Sequence, residues 1–293
     1  MDTAATTDHR AKMELRRFGP TKRKVSVIGQ GTWFLEEAGK KQAVSALRLG
    51  LDLGMNHIDT AEMYGGGQAE ELVGEAIAGR RDEVFLVSKV LPTNATQSGT
   101  VQSCQESLQR LKTDHLDCYL LHWRGTYPLA GTIEAFEYLR DRGKILSWGV
   151  SNFDVPDLEE VWKLEGGHNL VCNQVLYNLQ QRATEHAVIP WCIKHGLAFV
   201  IYSPFGHGKF PGPKTPGGRV LQEIAKAHNA TARQVALRFL LRWPFSFAIP
   251  KAVDPEHGTE NAGAGALQLT DEDIDRIDKA FPRGPRPREL PVL

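Results

Sequence analysis

A strand-and-helix alternation that runs through almost the whole chain constrains its fold more than any other feature. Apolar, strand-like runs cover residues 29–33, 57–60, 84–90, 116–123, 147–152, 170–177, 198–205 and 247–251. Amphipathic, helix-like runs fall between and after them, at 40–53, 69–78, 100–111, 132–142, 156–164, 185–195, 219–228, 232–242 and 271–280. The strand runs are continuously apolar rather than alternating, which implies burial on both faces. Strict strand–helix alternation gives a parallel sheet. Eight such units predict a (β/α)8 barrel, an α/β fold, with extra C-terminal helices. Residues 14–20 and 24–29 read as two short strands around a turn, a hairpin left outside the barrel. A doubly wound open sheet would also alternate, but its dinucleotide fingerprint is missing: Gly29-Gln30-Gly31-Thr32-Trp33-Phe34 ends in Phe where GxGxxG needs Gly.

Length and composition narrow the function. The 293 residues carry 35 Lys and Arg against 35 Asp and Glu, a formal charge of zero, so no bulk basicity recruits nucleic acid or anionic lipid. Cys104, Cys118, Cys172 and Cys192 form no CxxC pair and are expected to stay reduced, packed as small apolar groups. No apolar run approaches the roughly 18 residues of a membrane helix, and the N-terminus has no signal-peptide core. A cytoplasmic protein is expected. Residues 1–12 are small and polar and read as a flexible tail, leaving 13–293 as one barrel domain.

Chemistry in such a barrel lies at the C-terminal ends of the strands. The polar residues there are Asp59, Lys89, His122, Ser151, Asn152, Gln174, Tyr202, Ser203 and Lys251, from seven strands, with Tyr64 in a neighbouring loop. Taken singly, most have ordinary readings as caps, turns or satisfied buried groups. Lys89 does not: a lysine ending a buried apolar strand needs a partner, and Asp59 on the neighbouring strand is the natural one. His57-Ile58-Asp59 places two polar residues on one strand face, but only His122 joins them at the other strand ends. That is too few ligands, so no metal is expected.

Gly31-Thr32-Trp33, His57-Ile58-Asp59-Thr60-Ala61-Glu62-Met63-Tyr64, Ser88-Lys89, Leu120-Leu121-His122-Trp123, Gly149-Val150-Ser151-Asn152-Phe153, Asn173-Gln174, Tyr202-Ser203-Pro204 and Ile249-Pro250-Lys251 together resemble the aldo-keto reductase superfamily. Within it, the chain looks most like the bacterial enzymes that reduce methylglyoxal and related small aldehydes. The resemblance implies that Tyr64 is the general acid, that Lys89 and Asp59 form an ion pair lowering its pKa, and that His122 orients the carbonyl. A free tyrosine pKa of about 10 is high for proton donation near neutrality, and a nearby lysine cation favours phenolate. The resemblance also implies a nicotinamide cofactor. Ser151, Asn152 and Gln174 would bind its carboxamide beside Asp59, with Tyr202 stacked on the ring. Gly31, Thr32 and Trp33 would border it, and Ser203, Pro204, Phe205 and Gly206 would follow the pyrophosphate. Ile249, Pro250, Lys251, Ala252 and His257 would meet the 2′-phosphate side, with Glu260 and Asn261 on the adenine.

Two positions depart from the family pattern. Ala252 stands where Ser or Thr is usual, and His257 where Arg is usual. Arg is a permanently charged fork, whereas His is largely neutral near pH 7. NADPH is therefore expected through Lys251, held less tightly than usual, with NADH possible. Trp33, Tyr64, His122 and Trp123 would line the substrate pocket, with Phe34 and Trp148 as further candidates. A short C-terminal tail suggests that this pocket is open. The expected partner is a small carbonyl compound, and the expected state a monomer. The competing reading is a nicotinamide-binding regulatory subunit, like the potassium-channel β-subunits that resemble this family. A steroid double-bond reductase would usually carry Glu at position 122.

Overall fold

The computed structural model describes residues 12–293, so the tail expected over 1–12 lies, Lys12 apart, outside the described residues. The chain opens with an antiparallel hairpin of β1 (Leu15–Arg17) and β2 (Lys24–Ser26), with Leu15 opposite Ser26. Its turn passes through Gly19 at φ +51°, where a Cβ would stand 2.4 Å from the Val171 carbonyl oxygen. Only glycine lets the turn approach the barrel this closely. Phe18 beside it is fully buried, its ring 4.6 Å from Phe85, 5.0 Å from Phe247 and 5.8 Å from His57. These three residues stand at the start of their strands, so the hairpin plugs the N-terminal mouth of the barrel.

Eight parallel strands follow in sequence order: β3 (Gln30–Gly31), β4 (His57–Asp59), β5 (Phe85–Val90), β6 (Cys118–Leu121), β7 (Trp148–Ser151), β8 (Leu170–Leu176), β9 (Ala198–Tyr202) and β10 (Ser246–Ala248). A bridge between Ile28 and Ala248 joins the last strand to the first. The Gly29 N–H donates to the Ala248 carbonyl at 2.7 Å, and the Ala248 N–H to that of Val27 at 2.8 Å. The predicted (β/α)8 barrel is thus present.

The interior follows the two-residue period of the strands. Phe85, Val87, Cys118, Leu120, Cys172, Ala198, Val200, Phe247 and Ile249 form one apolar cluster inside the barrel with Phe18. The next inward residue is polar on strand after strand: Lys89 beyond Val87, His122 beyond Leu120, Gln174 beyond Cys172, Tyr202 beyond Val200. Gly149 leaves room for its neighbours, since a Cβ there would lie 2.4 Å from Cys172 Sγ and 2.8 Å from Leu120 Cδ2. The same alternation corrects the reading of Trp148, one residue earlier, which faces outward. It is fully buried beneath the helices, stacks on Phe136, and donates its indole N–H to Glu137 Oε1 at 2.6 Å. Trp148 is not a pocket residue.

The helices are α1 (Lys40–Asp52), α2 (Gln68–Ala76), α3 (Gln97–Leu111), α4 (Leu129–Asp141), α5 (Val155–Lys163), α6 (Val188–Lys194), α7 (Pro216–Ala227), α8 (Ala232–Leu240), α9 (Pro255–Gly263) and α10 (Asp271–Ala280). Caps, rather than the first apolar residue, set where they begin. Thr96 caps α3 by accepting from the Gly99 N–H, and Thr215 caps α7 by accepting from that of Gly218, so both start three residues earlier than apolar spacing suggests. The run read as one helix over 185–195 is a 3-10 turn, Ala183–His186, followed by α6. Pro190 explains the break, because a residue without an N–H fits only in the first turn of a helix. All four cysteines are buried and unpaired, as expected. Among the described residues no helix is long and apolar enough to cross a membrane, and no cluster of three metal-ligating side chains occurs.

Candidate active site

The polar strand ends meet in a cavity of about 420 Å³ at the mouth opposite the hairpin. Of the residues expected to serve the site, Gly31, Thr32, Trp33, Phe34, Asp59, Tyr64, His122, Trp123, Ser151, Asn152, Gln174, Tyr202, Ser203, Pro204, Phe205, Ile249, Pro250 and Lys251 line it. Lys89 lies just behind, fully buried. Its Nζ donates to Asp59 Oδ1 at 2.5 Å, to the Thr60 carbonyl at 2.8 Å and to Tyr64 Oη at 3.2 Å. Three acceptors around one ammonium satisfy all of its donors. Asp59, also buried, spends its second oxygen on Gln174, whose Nε2 donates to Oδ2 at 2.7 Å.

The Tyr64 oxygen accepts from Lys89, so its own hydrogen is left to point into the cavity. The sequence suggests that Lys89 lowers the Tyr64 pKa. Lys89 does pull in that direction, but burial is the larger effect, and the phenol stands above its ordinary value of 10. Tyr64 is therefore fully protonated near neutrality. Burial pulls Lys89 down, yet attraction to Asp59 and Tyr64 outweighs it and keeps the ammonium charged. The His122 ring packs edge-on against that of Tyr64 at 5.6 Å. Burial, with Lys89 nearby, pushes His122 down to about 2, and its Nδ1 has no protein partner. It is a neutral imidazole, with one N–H to give and one lone pair to receive.

A second polar layer flanks these groups. Asn152 Nδ2 donates to the His122 carbonyl and to Ser151 Oγ, both at 3.1 Å, and Asn152 Oδ1 accepts from Tyr202 Oη at 2.7 Å. Ser151 Oγ donates to the Gln174 carbonyl at 3.0 Å. Asn152 sits at φ +63°, and Phe34, Ser203 and His207 are also left-handed. Four non-glycine residues in that costly region, all lining the same cavity, mark a place where side-chain direction outweighs backbone comfort. These groups fit a nicotinamide: an aromatic ring, Tyr202, beside amides and hydroxyls able to give and accept hydrogen bonds at a carboxamide.

A model of the aldo/keto reductase family matches residues 27–281. The chain belongs to this family. It is 44% identical over 257 residues to the methylglyoxal reductase YeaE of Escherichia coli K12, covering 87% of this chain and 90% of that one. It is 34% identical over 269 residues to a glyoxal reductase of Bacillus subtilis, covering 90% and 92%. Among solved structures, an aldo/keto reductase from Klebsiella pneumoniae in complex with NADP and acetate superimposes with a TM-score of 0.90. It shares 42% identity over 96% of this chain and all of that one.

Not every residue expected in this aldo-keto reductase's site meets the cavity. Gly206 stands beside it, in the loop after β9, its N–H donating to the Ser203 carbonyl at 2.9 Å. Ala252 follows Lys251 but stays outside the lining. His257, Glu260 and Asn261 lie on one face of α9, His257 exposed and Asn261 buried. Lys251 Nζ donates to the Phe34 carbonyl at 2.9 Å, tying the two rims of the mouth together.

Met63, His207, Gly208 and Leu293 also line the cavity, beyond the site residues expected from the sequence. His207 stacks on Trp33 at 5.2 Å, and Phe34 lies against the same indole at 4.6 Å. The glycines on either side of His207 were the available signal for a tightly turned tip. Leu293 brings the end of the chain after α10 back to the mouth of the cavity, where it stays exposed.

Proposed function

We propose that this protein reduces small aldehydes and α-ketoaldehydes, methylglyoxal among them, to alcohols with NADPH. The observation that carries this reading is the buried Lys89 ammonium held between Asp59 and Tyr64. It supports the names of the relatives with a chemistry that the chain itself can perform. When bound, the nicotinamide supplies a hydride to the carbonyl carbon. Tyr64 then gives its proton to the carbonyl oxygen, and the adjacent Lys89 cation stabilises the phenolate left behind. Asp59 keeps Lys89 charged, and Gln174 keeps Asp59 in place. The neutral His122 donates to the carbonyl oxygen and orients it. Trp33, Phe34, Trp123 and Met63 form a partly exposed apolar rim that suits a compact substrate.

Ser151, Asn152, Gln174 and Tyr202 would hold the nicotinamide, and Lys251 the 2′-phosphate side. With Ala252 and an exposed His257 in place of stronger contacts, NADPH is bound in preference to NADH by a reduced margin. Titrating each dinucleotide against protein fluorescence checks this order, and equal dissociation constants would overturn it. Four reduced cysteines suit the cytoplasm.

The test of the function is the rate of NADPH consumption with methylglyoxal in wild type and Tyr64→Phe. Turnover in the wild type should drop about 10²- to 10⁴-fold in the variant, the usual scale for losing a general acid. NADPH binding should be retained, because the ring remains. Wild-type rates in Tyr64→Phe would show that another group donates the proton.

A further inference from the structure

Two carboxylates outside the cavity lining flank Tyr64 in the chain, and their hydrogen-bond donors flank Lys89. Glu62, two residues before Tyr64, accepts at Oε1 from the Leu91 backbone N–H at 2.6 Å and from Asn94 Nδ2 at 3.0 Å. Leu91 is two residues after Lys89. Glu70, six residues after Tyr64, accepts at Oε1 from Ser88 Oγ at 2.5 Å, and Ser88 immediately precedes Lys89. Glu70 is fully buried, and its other oxygen takes Arg110 Nε of α3 at 2.6 Å. Between the two carboxylates the backbone makes a tight left-handed turn through Gly65, Gly66 and Gly67, at φ +56°, +62° and +96°. A Cβ at Gly67 would stand 2.7 Å from Arg110 Cδ, so the turn is pressed against the arginine that Glu70 holds.

A three-glycine turn is intrinsically loose, because glycine has the largest conformational freedom to lose. Backbone bonds hold its near side to β5, the Glu62 N–H donating to the Lys89 carbonyl at 3.3 Å, but the turn beyond Tyr64 has none to that strand. The Lys89 contact at 3.2 Å is a charge-assisted hydrogen bond and falls off steeply with distance and angle. Tethers on both sides of the turn, each ending within two residues of Lys89, confine the phenol relative to the ammonium. Neither tether touches the cavity.

We infer that Glu62 and Glu70 are positioning residues for the reaction, a pair of carboxylate clamps that set the Tyr64–Lys89 separation from outside the active site. This rests on the reading of Tyr64 as proton donor. A displacement of about 1 Å in a reacting group costs up to about 100-fold in rate. Glu62→Ala and Glu70→Ala should therefore lower kcat about 10- to 100-fold while NADPH affinity, read by fluorescence titration, stays at the wild-type value. As the phenol moves away from the ammonium its pKa rises, so the alkaline limb of the kcat–pH profile should shift upward. Glu62→Gln, which keeps the Oε1 acceptor, should recover most of the rate.

Tyr64→Phe is measured alongside. If Tyr64→Phe is dead and Glu62→Ala turns over like wild type with an unmoved alkaline limb, the clamp is wrong and the proton-donor reading stands. If Tyr64→Phe is itself fully active, both fail. Glu70→Ala strands the half-buried Arg110 and can lose folded protein. Glu62, which is only half-buried, keeps the proposal open to refutation in a folded variant. A kcat loss there that matches the unfolded fraction seen by circular dichroism overturns it as well.

Discussion

Lys89 and Asp59 are the residues on which electrostatics and stability meet. Both are essentially without solvent contact. Removing one partner of such a pair strands the other as an unpaired buried charge, at a cost of about 3–5 kcal/mol. Lys89→Met should therefore be strongly destabilised and inactive. Adding Asp59→Asn removes the stranded charge and should restore a large part of the stability, without restoring turnover. Urea unfolding midpoints of the two variants test this, and a double variant no more stable than Lys89→Met would show that the pair is not electrostatically coupled. The residue scale is also where the sequence is most informative. A lysine closing an apolar strand already requires a carboxylate neighbour, and the order of polar strand ends supplies the rest. The sign of the Tyr64 shift was not legible in it. Burial depends on how Trp33 and His122 pack against the phenol ring, and no local pattern encodes that. Glu62 and Glu70 escaped for a related reason: each reads as a surface or helix-start acid until the fold brings β5 beside it.

At the level of elements, the strands were legible because their apolar runs are driven by burial on both sides, and their polar last positions by the open mouth. The helices were legible only where they bury a stripe. α9 was missed because Pro255 to Gly263 carries two glycines and almost no large apolar residue, so it shows no helical periodicity. Its start is written instead in Asp254, whose side chain accepts from the Glu256 N–H at 2.7 Å, and in Pro255 at the first helical position. A helix held so largely by its cap should depend on it. Asp254→Ala should weaken α9 by about 1 kcal/mol, the typical cost of losing a cap. Amide hydrogen exchange along Pro255–Gly263 should then speed by about fivefold, with the β-strand amides unchanged. Unaltered exchange in α9 would mean that packing against α1 and α8 holds it. On the proposed assignment of His257, Glu260 and Asn261 of this helix to the 2′-phosphate and adenine side of NADPH, the same variant should also loosen dinucleotide binding.

For the whole molecule, the buried histidines make stability fall on acidification. The formal charge is zero near neutrality, so charge self-repulsion does not set the behaviour on mild acidification. His57 is walled in by Phe18, Phe85 and Phe247, has no partner on either ring nitrogen, and is pushed by burial down to about 4. An unfolded histidine titrates near 6.5. Above that value both states are neutral and His57 has no effect on the folding balance. Between about 6.5 and 4 the unfolded chain binds a proton that the native state refuses, so stability falls with pH. At pH 4.5 the loss from His57 alone is about 2–3 kcal/mol, at roughly 1.4 kcal/mol per pH unit. His122, with its lower value, continues the same trend in more acid solution. His57→Leu removes one of the two protons from this balance without touching the mouth of the barrel. The gap in unfolding free energy between variant and wild type should move in favour of the variant by that amount from pH 7.5 to 4.5. A gap that stays constant across the range would place the acid sensitivity elsewhere, in carboxylates such as Glu185 that the fold holds ionised between Arg182 and Arg242.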